Sequence, residues 1–304
     1  MYKVFLTERK YNKIMKEFKD SELVLNPNGS VYHLNLHADQ LAEHIIVVGD
    51  PGRVPMISAM FEKVDVKVQN REIVTHTGWY NGKRVTAMST GMGPDNIDIC
   101  MNELHVLATW DIQGKKMLDS PRKLKIVRIG TSGALQKEIP VESCVASVAA
   151  IGMDSVLNFY EGNLEMVGNP LAVEFAKFTD WPQILSTPYA AEGSKYLLEK
   201  IGKNYLQGIT LTSPGFYGPQ FRDIFIPSAF PELQQKIIDF RHQGMFVANL
   251  EMETSALYGL GKLMGHEMLT VCLIIANRAL GEFAKDYKSN MKNLVEEVLH
   301  GLTK

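Results

Sequence analysis

The chain alternates short, predominantly apolar runs with longer stretches whose apolar residues return every three or four positions. Residues 44–48 (HIIVV), 84–89 (RVTAMS), 125–129 (KIVRI) and 269–276 (LTVCLIIA) are of the first kind. Runs this short and continuous predict strands covered on both faces. Ile97, Cys100, Met101 and Leu104 form one set at helical spacing, and Ala256, Leu257, Leu260, Leu263 and Met264 form another. Buried strands alternating with amphipathic helices predict an α/β fold with a mixed or mostly parallel sheet. Ile14, Met15 and Phe18 recur at helical spacing in a lysine-rich stretch, which predicts a helical N-terminal extension over residues 1–28, ended by Asn26-Pro27-Asn28-Gly29. The polar residues 113–123 (QGKKMLDSPRK) predict an exposed loop. No repeat or linker divides the remainder, so residues 29–304 are read as one domain.

Composition narrows the function. The 304 residues are 45% hydrophobic and 22% charged, ordinary for a sizeable core. A net charge of −2 supplies no basic field for a nucleic-acid backbone. No apolar run approaches the roughly 20 residues that span a bilayer, and the N-terminus lacks a signal-type apolar core. The three cysteines, Cys100, Cys144 and Cys272, sit in apolar stretches without zinc-site spacing. These features predict a soluble, cytoplasmic protein that uses no metal.

Candidate chemistry lies where strands end in glycine-rich turns, because ligands of such sheets bind at the carboxyl ends of strands. Gly49-Asp50-Pro51-Gly52-Arg53 can bring backbone and a cation to an anion, although alone it is better read as a tight turn with a solvated arginine. Thr90-Gly91-Met92-Gly93-Pro94 has the look of a phosphate-binding turn, a weak signal by itself. Arg128-Ile129-Gly130-Thr131-Ser132-Gly133 is stronger. Arg128 interrupts an apolar strand and needs a partner, either a carboxylate or an oxyanion; Thr131 and the following glycine amides favour an oxyanion, which the planar guanidinium suits.

Three stretches suit an organic substrate. In Gly215-Phe216-Tyr217-Gly218-Pro219-Gln220-Phe221-Arg222, an extended backbone would point Gln220 and Arg222 the same way, offering donors and an acceptor to a planar amide edge; an ordinary exposed loop fits as well. Asn249-Leu250-Glu251-Met252-Glu253 mixes apolar and acidic positions, as a buried carboxylate facing sugar hydroxyls requires, though acids in a first helical turn also complement the macrodipole. His33 lies among apolar neighbours and alone reads as a structural histidine.

In order along the chain, GDPGR, NREI, STGMG, RIGTSGAL, GFYGPQFR and NLEMETSAL resemble the nucleoside phosphorylase family, which includes uridine phosphorylases and hexameric purine nucleoside phosphorylases. The resemblance runs from about Val31 to near the C-terminus. It implies a single-domain three-layer αβα sandwich with a central mixed, partly barrel-like sheet. It implies a phosphate site of Gly49, Arg53, Arg128 and Thr131, with Arg71 donated by a neighbouring subunit. Ribose would meet Thr131, Glu251, Met252 and Glu253, with Glu253 on the vicinal hydroxyls and His33 from the neighbour at the 5′-hydroxyl. Gln220 and Arg222, with Phe216 and Arg278, would read the base. Arg128, Gln220, Arg222 and Glu253 would be the catalytic set.

Purine enzymes of the family carry a Ser-Asp pair after the last apolar strand, where this chain has Asn277-Arg278, as uridine enzymes do. The resemblance therefore implies a pentosyltransferase that cleaves uridine, deoxyuridine or a related pyrimidine nucleoside with inorganic phosphate as co-substrate and no organic cofactor. The alternatives are a purine nucleoside phosphorylase, a nucleosidase of the same fold that uses water, and a nucleoside-binding protein without activity. A subunit that borrows Arg71 and His33 must be at least a homodimer, which can close further into a trimer of dimers. Some members bind a monovalent cation near the glutamate matching Glu72. The chain departs from the family in its N-terminal extension, in residues 113–123, in a turn at Met92-Gly93-Pro94 one glycine shorter than usual, and in the order Gly218-Pro219.

Overall fold

The structure is a computed structural model and describes residues 18–304. In chain order it contains β1 (His44–Val48), α1 (Arg53–Ser58), β2 (Lys63–Asn70), β3 (Ile73–Tyr80), β4 (Lys83–Ser89), α2 (Pro94–Thr109), β5 (Trp110–Asp111), β6 (Lys116–Met117), β7 (Lys125–Ala134) and β8 (Cys144–Gly152). There follow α3 (Leu164–Val167), α4 (Pro170–Phe178), β9 (Tyr189–Glu192), α5 (Lys195–Lys200), β10 (Leu206–Thr212), α6 (Leu233–Asp239), β11 (Arg241–His242), β12 (Met245–Glu251), α7 (Thr254–Met264), β13 (Glu267–Asn277), β14 (Glu282–Phe283) and α8 (Lys288–Thr303).

The apolar runs are strands, and alternation along them divides the core. On β1, Ile45 and Val47 join one cluster with Ile97, Leu104, Leu257 and Leu260 of α2 and α7. Ile46 and Val48 join the opposite cluster with Val54 of α1, Leu197 of α5 and Leu294 and Val298 of α8. Successive side chains of a strand point to opposite faces, so two helical layers cover one sheet: the expected αβα sandwich. Each fully buried leucine or valine of this kind contributes about 1.5–3 kcal/mol.

The main sheet runs β11-β12-β10-β8-β13-β7-β1-β4-β3-β2. β1 is parallel to β4 and β7, whereas β2, β3 and β4 form antiparallel hairpins. β12 also pairs antiparallel with β7, Asn249 opposite Ala134 and Leu250 opposite Gly133. That pairing closes β7, β13, β8, β10 and β12 into a barrel, which α4 and α6 cover with Phe175, Leu233 and Ile237. The mixed, partly barrel-like sheet is therefore present.

Two local expectations change, and a third gains detail. Ile14 and Met15 lie outside the described residues, but residues 18–28 form turns rather than helix, with a bridge from Leu25 to Val31. Asn26 Nδ2 donates to Ser30 Oγ and to Val31 O, each at 3.0 Å, which holds the backbone in a turn. Residues 113–123 are largely exposed, as expected; within them β6 pairs back to β5, and Arg122 pins the segment by donating to the carbonyls of Leu41, Ala38 and Leu107 at 2.7, 2.9 and 2.7 Å. The segment Gly130-Thr131-Ser132-Gly133 is not a turn: β7 continues through it to Ala134. Glycine is needed there for close packing. A Cβ on Gly130 would stand 2.2 Å from Arg128 Nη1 and 2.7 Å from Cys272 Sγ.

Candidate active site

All the expected site residues except His33 and Arg71 line one cavity of about 880 Å³. It opens where β1, β4, β7, β12 and β13 reach their carboxyl ends, and each brings part of the site.

The anion side begins at β1. Asp50 Oδ1 accepts from Gly52 N at 2.8 Å, a turn that releases the chain into α1 with Arg53 first. Arg53 is mostly buried, and its ion-pair partner among the described residues is Asp50, at 3.9 Å. Burial, then the charge of Arg128, lowers the Arg53 guanidinium below its ordinary value. A half-compensated buried cation on a cavity wall is suited to an oxyanion. Gly49 and Thr131 line the same wall.

Arg128 has carboxylate partners within the chain. Its Nη1 lies 3.0 Å from Glu251 Oε2 and donates to Cys272 Sγ at 3.4 Å; its Nη2 donates to Glu253 Oε2; its Nε is buried without a partner among the described residues. The guanidinium is therefore paired with two carboxylates of its own chain. Burial opposes the charge, but Glu253 and Glu251 outweigh it and hold Arg128 protonated above its ordinary range.

The two glutamates have different tasks. Glu251 ends β12 and accepts from Thr212 Oγ1 at 2.6 Å, from Glu253 N at 3.0 Å and from Thr254 N at 3.1 Å. It fills the first turn of α7, so its carboxylate has little capacity left for a ligand. Glu253 accepts from Gly93 N at 2.8 Å as well as from Arg128. The glycine turn after β4 thus serves Glu253. Gly91 (φ 74°) and Gly93 (φ 98°) take backbone conformations that other residues adopt only with strain, and Pro94 then starts α2. Burial raises the Glu253 carboxyl, against the pull of Arg128.

At the other end of the cavity the backbone is not extended. Residues Gly218–Gln220 form a 3₁₀ turn, and Phe221 is left-handed at φ 58°. Gln220 and Arg222 nevertheless meet: Arg222 Nη1 donates to Gln220 Oε1 at 2.5 Å and to Phe216 O at 2.6 Å. The Arg222 guanidinium lies 3.9 Å from the Phe216 ring centroid. With Oε1 occupied, Gln220 keeps its amide donors. Arg278, the residue after β13, donates to the carbonyls of Gln220 and, at 3.3 Å, of Phe221. Burial, then the Arg222 charge, pushes Arg278 down to about 10. Asn277 is consumed by the carbonyls of Gln136 and Ile139 at 3.0 and 2.7 Å and by Leu280 N at 3.0 Å.

His33 and Arg71 form a separate surface patch. Asn70 Nδ2 donates to His33 O at 2.9 Å, and the Arg71 guanidinium sits 5.8 Å from the Tyr32 ring centroid. His33 Nδ1 lies 2.6 Å from Glu103 Oε1, and Glu103 also accepts from the backbone of His33 and Leu34. The Glu103 carboxylate occupies Nδ1, so Nε2 is the ring nitrogen left for a ligand. Sequence reasoning missed Glu103, whose signal is an acid three residues after Cys100 on the apolar face of α2. It also missed Thr212 and the pocket-lining Glu282 and Phe283 of β14. Glu72 lines the cavity and accepts from Asn96 Nδ2 at 3.4 Å.

Residues 43–300 match the model of the Phosphorylase superfamily. The chain belongs to that superfamily. It is 28% identical over 272 residues to a uridine phosphorylase of Thermococcus kodakarensis, covering 90% of this chain and 86% of the relative. It is 27% identical over 273 residues to a DeoD-type purine nucleoside phosphorylase of Colwellia psychrerythraea, covering 89% of this chain and 98% of that one. Among solved structures, a Trypanosoma brucei nucleoside phosphorylase described as showing uridine phosphorylase activity aligns with TM-score 0.79 and 27% identity, covering 92% of this chain and 99% of that one. A uridine phosphorylase from Phytophthora capsici shares the fold at TM-score 0.71 and 19% identity, covering 94% and 98%.

Proposed function

We propose that this enzyme cleaves uridine with inorganic phosphate, giving uracil and ribose 1-phosphate. The carrying observation is the Gln220–Arg222 pair, joined at 2.5 Å, on the same cavity wall system as Arg53 and Glu253. Positions 277 and 278 carry no acid that would protonate a purine: Asn277 is spent on backbone and Arg278 clamps the base loop.

In this reading phosphate lies between Arg53, Thr131 and the Gly49 turn, completed by Arg71 of a neighbouring subunit. Arg128 shares its charge with Glu251 and Glu253, so Arg53 carries most of the oxyanion. Glu253 accepts from the ribose vicinal hydroxyls beside Met252, and a neighbour's His33 offers Nε2 to the 5′-hydroxyl. This fixes C1′ over the attacking oxygen. As the glycosidic bond lengthens, negative charge enters the uracil ring, where the donors of Gln220 and Arg222 stabilise it beside Phe216. No proton donor to the base is required. The placement of His33 and Arg71 outside their own cavity supports a homodimer as the smallest active unit. In this reading the enzyme works in nucleoside salvage in the cytoplasm.

The test is the ultraviolet change on base release with phosphate present. Uridine cleaved at least tenfold more efficiently than inosine, in kcat/KM, supports the reading. Inosine cleaved as well as uridine overturns it.

A further inference from the structure

Behind the loop that carries Gln220 lies a second cavity of about 770 Å³, within the size range of small-molecule sites. Its wall is apolar, built from Trp181, Leu185, Pro219, Phe221, Phe230 and Leu233. No aspartate or glutamate lines it, and its one cation is Arg222, which lines the base end of the other cavity too. Arg222 spends Nη1 on Phe216 O and Gln220 Oε1 and has no carboxylate partner among the described residues. Burial lowers its guanidinium from the ordinary value, so a counter-charge there would be welcome.

The geometry points to a second ligand site: a small organic monoanion with an apolar body in this cavity and its acid group on Arg222. Charge complementarity selects an anion over a neutral hydrocarbon, and the volume selects a body the size of an aryl group or a medium alkyl chain. Because Arg222 faces both cavities, the anion draws away a donor needed at the base. Occupancy therefore weakens nucleoside binding, a coupling that rests on the proposed role of Arg222 in base recognition.

The full-length protein is titrated with 1-anilinonaphthalene-8-sulfonate, read by its fluorescence, without nucleoside. Saturable binding at one site per chain is expected, displaced by decanoate and at least tenfold less well by decan-1-ol. Ala229, an exposed residue of the lining, is replaced by Glu to repel the anion and by Trp to fill the space. Ala229→Glu, Ala229→Trp and Arg222→Gln should each weaken the dye tenfold or more, while Gln220→Ala leaves it within about twofold. Dye binding unchanged in both Ala229 variants, or decan-1-ol displacing as well as decanoate, overturns the site. Saturating uridine should weaken the dye tenfold. Tight dye binding that uridine does not alter keeps the second site and instead removes Arg222 from the base.

Discussion

Arg128 and Glu253 form an ion pair whose side chains are each 5% exposed, and both residues line the cavity. The cavity thus holds its own counter-charges. Arg128 neutralises two carboxylates and Arg53 has the weaker partner, Asp50 at 3.9 Å, so in the proposed reaction the phosphate falls chiefly to Arg53. This division separates a residue that organises the site from one that is free to bind.

Removing the organiser should harm the fold. Arg128→Met leaves Glu251 and Glu253 buried without their cation, and loss of one partner of a buried pair costs about 3–5 kcal/mol. Urea unfolding should show a loss of that size, whereas Arg53→Met should stay within about 1 kcal/mol of the parent while raising the KM for phosphate. Equal stability of the two variants would contradict the division.

The base end predicts a different signature. Arg222→Ala removes a donor that acts as charge develops, so kcat on uridine should fall about 10²–10³-fold with a broadened base preference. Steady-state kinetics decide it, and a change confined to KM would mean that Arg222 only binds.

The separate patch of His33 and Arg71 predicts complementation between subunits. Neither Arg71→Ala nor Arg222→Ala protein should be active alone. Hybrids assembled from an equal mixture contain one intact site per mixed dimer, restoring about a quarter of the parental activity. Failure of refolded mixtures to regain activity would place Arg71 outside the partner's site.

A pair distant from the cavity sets part of the acid stability. His266 Nε2 lies 3.1 Å from His105 Nδ1, and Leu124 N donates to His266 Nδ1 at 3.3 Å. Burial, then the charges of His105 and Lys123, lowers His266 from 6.5 to about 4. The folded state therefore holds it neutral while the unfolded chain takes up a proton. Its stability contribution is complete above pH 6.5 and is lost as pH falls towards 4, on the order of 3 kcal/mol in all. Unfolding measured from pH 7 to pH 4 should be less steep in pH for His266→Gln. Parallel curves for variant and parent would contradict this.

The strands were legible because burial on both faces leaves an unbroken apolar run, as at His44–Val48. The glycines of β7 misled, because glycine usually signals a turn; here Gly130 instead admits the Arg128 guanidinium and the Cys272 thiol against the backbone. Barrel closure depends on Asn249 and Leu250 pairing with residues more than a hundred positions earlier, which no local pattern encodes. The helix α8 was readable from Met291, Leu294, Val295 and Val298 yet went unread among its charged neighbours. Of the site, the residue types were legible and the partners were not. Arg128 needed either a carboxylate or an oxyanion, and only the fold shows that Glu251 and Glu253 reach it.

The account stands on phosphate as the attacking group. Phosphorus NMR of the enzyme with uridine and inorganic phosphate should show ribose 1-phosphate appearing in step with uracil, and no uracil should form when phosphate is withheld. Uracil released at the same rate without phosphate, with free ribose as the other product, would contradict it.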